Sequence, residues 1–428
     1  GASLGAAGLG PVASLGAAAP GAAGPAAPGR LAVPDDIAYE WIDTAAALAG
    51  FAEHAAAADR IAVDTEFHRE RTYWPQLALV QIAAGDRLAL VDPTAVDLAP
   101  LAGVVSGGAL TVMHAGEQDL EMLQQACGTI PARLFDTQIA AGFVGMSTPS
   151  LTSLLNRFTK HRLSKGDRLA DWLHRPLTKA QLRYAASDVA HLFELTDRLT
   201  DDLGRRGRLQ WALDECELSR RPPPPPIEPE LAWSRLKQAR RLQGEARTVA
   251  CAVAAWRERT ARSRDIPPRF VMSDLALLSV AQRAPRSVDD MKSLRGVQFG
   301  SKGGSGAEAV LEAVRHGLEM SPDDVPRPPA SDVEQLDSDL RPAATLVGAW
   351  LDQLARRNDL DRALLATRRD VDMLLAGSAD SRLSSGWRAD LVGGTVDDLV
   401  AGRAALAFDP GHGLATVPLA ETQSPAPA

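Results

Sequence analysis

Little in this 428-residue chain suits a secreted or membrane protein. It has three cysteines, Cys127, Cys216 and Cys251, odd in number and far apart. That count excludes a paired disulfide framework, the spacing matches no metal-ligand pattern, and a reducing cytoplasm follows. No apolar run nears the roughly 18 residues of a membrane span. Residues 1–30 are mostly Gly, Ala, Pro, Ser and Leu, with no charge before Arg30. They lack the basic start and apolar block of a secretory signal and any periodicity, so 1–33 reads as a disordered leader. Positive charge is also short: 46 Lys and Arg against 54 Asp and Glu, a net −8. That excludes one basic surface over the whole molecule but leaves room for a local basic patch.

What is present is ordinary for a globular protein, with 45% hydrophobic and 23% charged residues. The length allows about two to four domains. The informative stretch is Ile61-Ala-Val-Asp-Thr-Glu-Phe67. Its alternation reads as a strand, so Asp64 and Glu66 project from one face, roughly 7 Å apart. The pattern admits two readings. One is a half-buried strand with a solvated face. The other is a site where carboxylates grip hard divalent cations.

The rest of the first half reads as mixed α/β. A helix over 43–58 leads into the strand at 60–67. A hairpin follows, 77–83 and 87–91, turning at Gly85-Asp86. A strand at 110–113 runs into a helix whose first turn holds Asp119, where the helix dipole favours a carboxylate. Asp136 opens a further helix as N-cap. Thr178-Lys-Ala-Gln181 is a capping box, and one helix is expected from there to Gly204. On it Tyr184 and Asp188 stand four residues apart, on one face.

Arg221 and the prolines after it read as a stiff spacer over 221–229. Beyond it strand signals stop. Residues 230–322 read as helical, about 231–241, 245–263, 273–283, 287–292 and 306–318. They hold 16 Lys and Arg against 10 Asp and Glu. Arg257 and Arg259 belong to this run, which fits either a solvated face or phosphate contact. Gly300-Ser-Lys-Gly-Gly-Ser-Gly306 stands before a helix, where it fits a phosphate cradle, but it lacks the Walker spacing and reads better as a flexible loop. After a linker at 323–341, a second helical block spans 342–410, with helices near 344–356, 362–375, 386–391 and 395–401. Residues 411–428 read as a disordered tail.

Four carboxylates and a tyrosine now stand in order. Ala62-Val-Asp-Thr-Glu-Phe67, Arg71-Thr-Tyr-Trp-Pro-Gln-Leu77, His114-Ala-Gly-Glu-Gln-Asp119, Phe135-Asp-Thr-Gln138, Asp171-Trp-Leu, Arg175-Pro-Leu and Tyr184-Ala-Ala-Ser-Asp188 resemble the DEDD exonuclease superfamily, tyrosine subclass, and within it the ribonuclease D family. This likeness covers residues 35–210. Trp256-Arg-Glu-Arg and Asp265-Ile-Pro-Pro-Arg-Phe270 resemble the HRDC module, an accessory nucleic-acid-binding domain. Leu365-Ala-Thr-Arg-Arg-Asp-Val and Gly386-Trp-Arg388 look like a second, divergent copy. His68 departs from a usually apolar family position.

The resemblance implies an α/β ribonuclease H-like exonuclease domain with a mixed sheet at 34–220, followed by two all-α HRDC-like domains. It implies 3′→5′ hydrolysis of RNA using two divalent ions, Mg²⁺ or Mn²⁺. Asp64 would bridge both ions, Glu66 and Asp188 hold the one that activates water, and Asp119 help to hold the other. Tyr184 would orient the attacking water. The implied partner is RNA, notably tRNA precursors, with no membrane and no obligate protein partner. Phe67, Tyr73 and Trp74 fit either base stacking or core packing. His114 reads as a structural hydrogen-bonding residue and is carried with Phe67, Tyr73, Lys165, Arg257 and Arg259 as a candidate RNA contact. Arg69, Arg71 and Arg168 are further candidates for phosphate. A DNA exonuclease and a non-catalytic binding scaffold are the rival readings.

Overall fold

In the computed structural model, the residues described are 37–161, 170–294, 304–327, 336–378 and 380–419. The leader, Lys165, Arg168 and residues 300–303 of the glycine-rich loop lie outside them. Among the described residues no helix is long and apolar enough to cross a membrane.

The alternating stretch around Asp64 forms β2 (Arg60–His68), the centre of a six-stranded sheet. It pairs antiparallel with β3 (Gln76–Ala84), which in turn pairs antiparallel with β4 (Arg87–Val91) across a tight turn where Gly85 takes φ +57°. That left-handed conformation suits glycine. β1 (Glu40–Ile42) joins β4 in parallel, and β5 (Leu110–Met113) and β6 (Leu134–Asp136) run parallel beyond β2. The order is β1-β4-β3-β2-β5-β6, the mixed sheet that the sequence predicts.

Strand alternation sorts the two faces. Ile61, Val63, Val80 and Ile82 pack under the helix Ala45–Ala56 with Leu48 and Phe51, and against Leu120 and Leu123. Ala62, Leu79 and Val112 face the other way, into a larger core with Leu154, Val189, Leu195 and Leu199. That same core takes in Ala344, Val347, Trp350, Leu365 and Trp387. The second helical block therefore packs directly into the core of the nuclease sheet. The first block has a core of its own, built on Trp233, Val249, Val253, Leu277, Val280 and Val314. Its long helix, Gly244–Arg264, meets Gly317 so closely that a Cβ there would lie 2.6 Å from Val249 Cα.

Several expectations are corrected. The helix expected from 178 to 204 is two, Lys179–Ala190 and Leu192–Arg205, broken at His191, whose ring stacks on His161. Residues 362–375 also divide, because Thr367 caps a new helix through a reciprocal bond with Asp370. Conversely, 386–401 is essentially one helix, Gly386–Val400. Residues 231–241 form two short 3₁₀ turns, Pro229–Arg235 and Ala239–Arg241. The second block is not all-helical and part of the expected disordered tail is ordered: β7 (Ala404–Asp409), in that block, pairs with β8 (Gly413–Pro418), in the tail, as a hairpin. The helices Leu151–Phe158 and Leu209–Ser219 were not anticipated.

Candidate active site

Asp64 and Glu66 emerge on the face of β2 that looks toward the Lys179–Ala190 helix. A bulge against β3 between Glu66 and Phe67 shifts the register there, after which Phe67 and His68 pair with Leu77 and Gln76. The helix is fixed at its start by the capping box, Thr178 and Gln181 bonding reciprocally. Gln181 Nε2 also donates to the Asp171 carbonyl at 3.3 Å. The preceding segment is tied to the sheet by Arg175, which donates twice to Asp92 at 2.7 Å and once to the Ala78 carbonyl at 2.7 Å. His68, the departure from the family pattern, joins this tether. Its Nε2 accepts the Trp172 N–H at 3.1 Å.

So held, the helix delivers Asp188 to the strand. One carboxylate oxygen from each of Asp64, Glu66 and Asp188 lies within 4.8 Å of the other two. Tyr184, one turn earlier and half-buried, tilts against Trp172 with ring centroids 6.1 Å apart. Asp119 stands beside this group rather than in it. It is 7% exposed, and its Oδ1 accepts the Thr65 N–H at 3.0 Å and the Thr65 hydroxyl. The Asp119 helix is itself anchored by Asp136, which accepts the Ala115 and Gly116 N–H groups at 3.1 and 2.8 Å and caps the following helix. The sequence marks Asp136 as an N-cap within the family stretch Phe135-Asp-Thr-Gln138. Its second duty depends on a contact across 20 residues that no local pattern reveals.

The electrostatics follow from crowding. Burial raises the Asp64 carboxyl well above its ordinary value, and Asp119, Asp188 and Glu66 add to the rise. Burial and then Asp188 and Asp119 push Glu66 up to about 8. Burial brings Asp119 to about 6 against the opposing pull of the Thr65 bonds. Carboxylates held this close and this dry are unfavourable as anions unless a cation sits among them. Oxygen donors in such a set suit a hard divalent ion.

The expected RNA contacts divide. Phe67 is half-buried with the Arg69 guanidinium 5.3 Å from its ring centre, and Arg69 pairs with Glu121 at 2.6 Å. Arg259 is exposed and paired with Glu230 at 2.6 Å. Arg71 and Trp74 are also exposed, whereas the structure turns His114, Tyr73 and Arg257 inward. His114 Nδ1 lies 2.9 Å from Thr137 Oγ1, and burial holds the imidazole below its usual value, as befits a structural residue. Tyr73 gives its hydroxyl to Glu258 and receives the Arg262 Nε–H at 2.9 Å, so its phenol is committed to the first helical block. Arg257 is 6% exposed and donates to the Met272 carbonyl and Asp274 at 3.0 and 2.7 Å. It braces that block from inside instead of meeting phosphate. Lys165 falls outside the described residues.

A mixed sheet with strand carboxylates answered by a helix Asp and Tyr defines a 3′-5′ exonuclease. The corresponding family model matches residues 39–204, and an HRDC domain model matches residues 246–308, within the first helical block. Ribonuclease D of Acidiphilium cryptum is 36% identical over 377 residues, covering 86% of this chain and 94% of its own. Ribonuclease D of Escherichia coli is 34% identical over 374 residues, covering 85% and 98%. The crystal structure of E. coli RNase D, described as an exoribonuclease involved in structured RNA processing, superposes with a TM-score of 0.73 at 31% identity, over 86% of this chain and 99% of that one. The catalytic core of RRP6 from Trypanosoma brucei gives 0.57 at 26% identity, over 66% and 80%. The chain belongs to the ribonuclease D family and is a 3′-5′ exoribonuclease. The fold implies divalent metal use.

Proposed function

We propose that Asp64, Glu66 and Asp188 hold divalent cations, with Asp119 completing the set, and that Tyr184 positions the water that attacks the terminal phosphodiester of an RNA. The observation carrying this is the meeting of three carboxylates from a strand and a helix within 4.8 Å. Two Mg²⁺ or Mn²⁺ ions bound there would supply Lewis acidity and a nucleophilic hydroxide at neutral pH. The chain's own residues do the rest. Asp64 and Glu66, rigid on β2, fix where the scissile phosphate sits. Asp119, bonded to the strand at Thr65, keeps its carboxylate trained on the same end of the sheet. A phenol's ordinary pKa near 10 makes Tyr184 a poor base, so its part is to orient.

The substrate reading is a single-stranded RNA 3′ end attached to a folded body, with tRNA precursors as the natural example. An entrance that admits one strand stops at a stable stem, and the helical blocks offer surface for the body. A precursor tRNA with a labelled 5′ end, incubated with Mg²⁺, should shorten stepwise from its 3′ end and release 5′-mononucleotides. EDTA should abolish this. Asp64→Asn should lose more than the roughly 100-fold that removing a mere supporting residue costs near a metal. Internal cleavage, or turnover untouched by EDTA, contradicts the reading.

A further inference from the structure

Directly across from Asp64, on β3, is Gln81. Cross-strand partners in an antiparallel pair point to the same face, with Cβ atoms about 5 Å apart. Neighbouring residues agree: Leu79 and Ala83, which flank Gln81 on β3, share the core of Ala62, which precedes Asp64 on β2. Gln81 therefore lies on the floor beneath the carboxylates, 0% exposed. Neither its Nε2 nor its Oε1 has a hydrogen-bond partner. The helix above it brings Ala185, Ala186 and Val189 into the same core, and Ser187 gives its hydroxyl to the Tyr184 carbonyl. A buried amide with both ends unsatisfied costs stability, and a leucine or methionine would fill the same core space without that cost. Its position next to Asp64 supplies a reason to keep it.

We propose that Gln81 is a positioning residue for the cation site, its Nε2 donating to the Asp64 carboxylate once Asp64 carries a divalent ion. This rests on the metal-site reading above. Groups that support a metal ligand fix its orientation and raise its affinity without touching the ion. A carboxylate that bridges cations has lone pairs left over, and a neutral donor from below satisfies one without competing for the metal. A carboxylate at this position would instead add a fifth like charge to an already crowded pocket.

The test is Mn²⁺ binding by the full chain without RNA, read by electron paramagnetic resonance, beside the melting temperature in EDTA. Gln81→Met keeps the volume and removes the amide, and Gln81→Leu is the second variant should the first fold poorly. Thr111→Val is the control, since Thr111 also carries an unpartnered buried hydroxyl but lies opposite Ile61, on the other face. Both Gln81 variants should bind Mn²⁺ about tenfold more weakly. Their metal-free melting temperature should be unchanged or higher, because orphaned polar atoms are gone. Thr111→Val should bind Mn²⁺ as the parent does. Unchanged Mn²⁺ affinity in the Gln81 variants, or an equal loss in Thr111→Val, overturns the role of Gln81. A parent protein that takes up no Mn²⁺, or an Asp64→Asn variant that binds it equally well, instead overturns the metal site itself.

Discussion

The two helical blocks differ in how they join the nuclease. The first, around Gly244–Arg264, keeps its own core and meets the nuclease through polar contacts. Tyr73 bonds Glu258 and Arg262, and Asp265 accepts the Tyr73 and Trp74 N–H groups at 3.0 Å each. Arg269 donates to the Glu70 carbonyl at 2.9 Å. The second block has no core apart. Trp387 stacks on Trp211 and meets Phe143 edge-on, Arg388 pairs with buried Glu215 at 2.7 Å, and the Asp361 N–H reaches the Gly142 carbonyl at 2.7 Å. A shared apolar core is stable only as one body, whereas a polar joint can open with each side still folded. The difference teaches that the second block is part of the nuclease scaffold. The first is a clamp on the loop that follows β2.

The largest expected effect breaks the fused side. Arg388→Ala takes from buried Glu215 its close partner, leaving only the longer contacts of Trp387 Nε1 at 3.5 Å and Arg382 at 3.7 Å, and should cost about 3 kcal/mol. Calorimetry should show the nuclease and second block losing stability together, and a separate low-temperature transition for the second block alone contradicts the shared core. Next, Gly317→Ala forces a Cβ into Val249 and should destabilise the first block by about 1–3 kcal/mol, leaving the nuclease transition in place. Smaller still, Tyr73→Phe removes the hydroxyl that Glu258 accepts and should weaken the joint by about 0.5–1.5 kcal/mol. Hydrogen exchange should then quicken in residues 69–75 while both cores stay protected.

The most local effect is a pH dependence confined to the carboxylate site. Glu66 is raised from 4.5 to about 8 and Asp119 from 3.8 to about 6 in the fold. The metal-free folded state therefore holds protons that the unfolded chain has already released. Their contribution is fully present below the unfolded values and is lost as pH rises through about 6 and then about 8. In EDTA the melting temperature should fall between pH 6 and pH 8.5, with Mn²⁺ closing the gap by neutralising the anions. A gap of the same size with Mn²⁺ present contradicts the assignment of these groups to a cation site.

Much of this was legible from local signals. The alternation at 61–67, the Gly85 turn and the Thr178 capping box are short-range devices, and each stands where its residues indicate. The mixed sheet and the family order of Asp64, Glu66, Asp119, Tyr184 and Asp188 were likewise readable. What escaped was decided at long range. β1 and β6, three residues each, exist only because a neighbouring strand pairs with them. The break at His191 has no proline or glycine to announce it. Arg257 and Tyr73 carry the residue types of an RNA surface, and only tertiary contacts show their heads turned inward. Trp74, at 41% exposure beside Tyr73, keeps an open ring face that sequence alone left undecided. The fusion of the second block also lay beyond pattern reading, since helical periodicity marks an apolar face without saying what it covers.

The central claim is most directly tested by diffraction from crystals soaked in MnCl₂, with data collected near the manganese edge. The account predicts anomalous density between Asp64, Glu66 and Asp188 that disappears in the Asp188→Asn variant. Manganese bound elsewhere, with those three carboxylates bare, contradicts it.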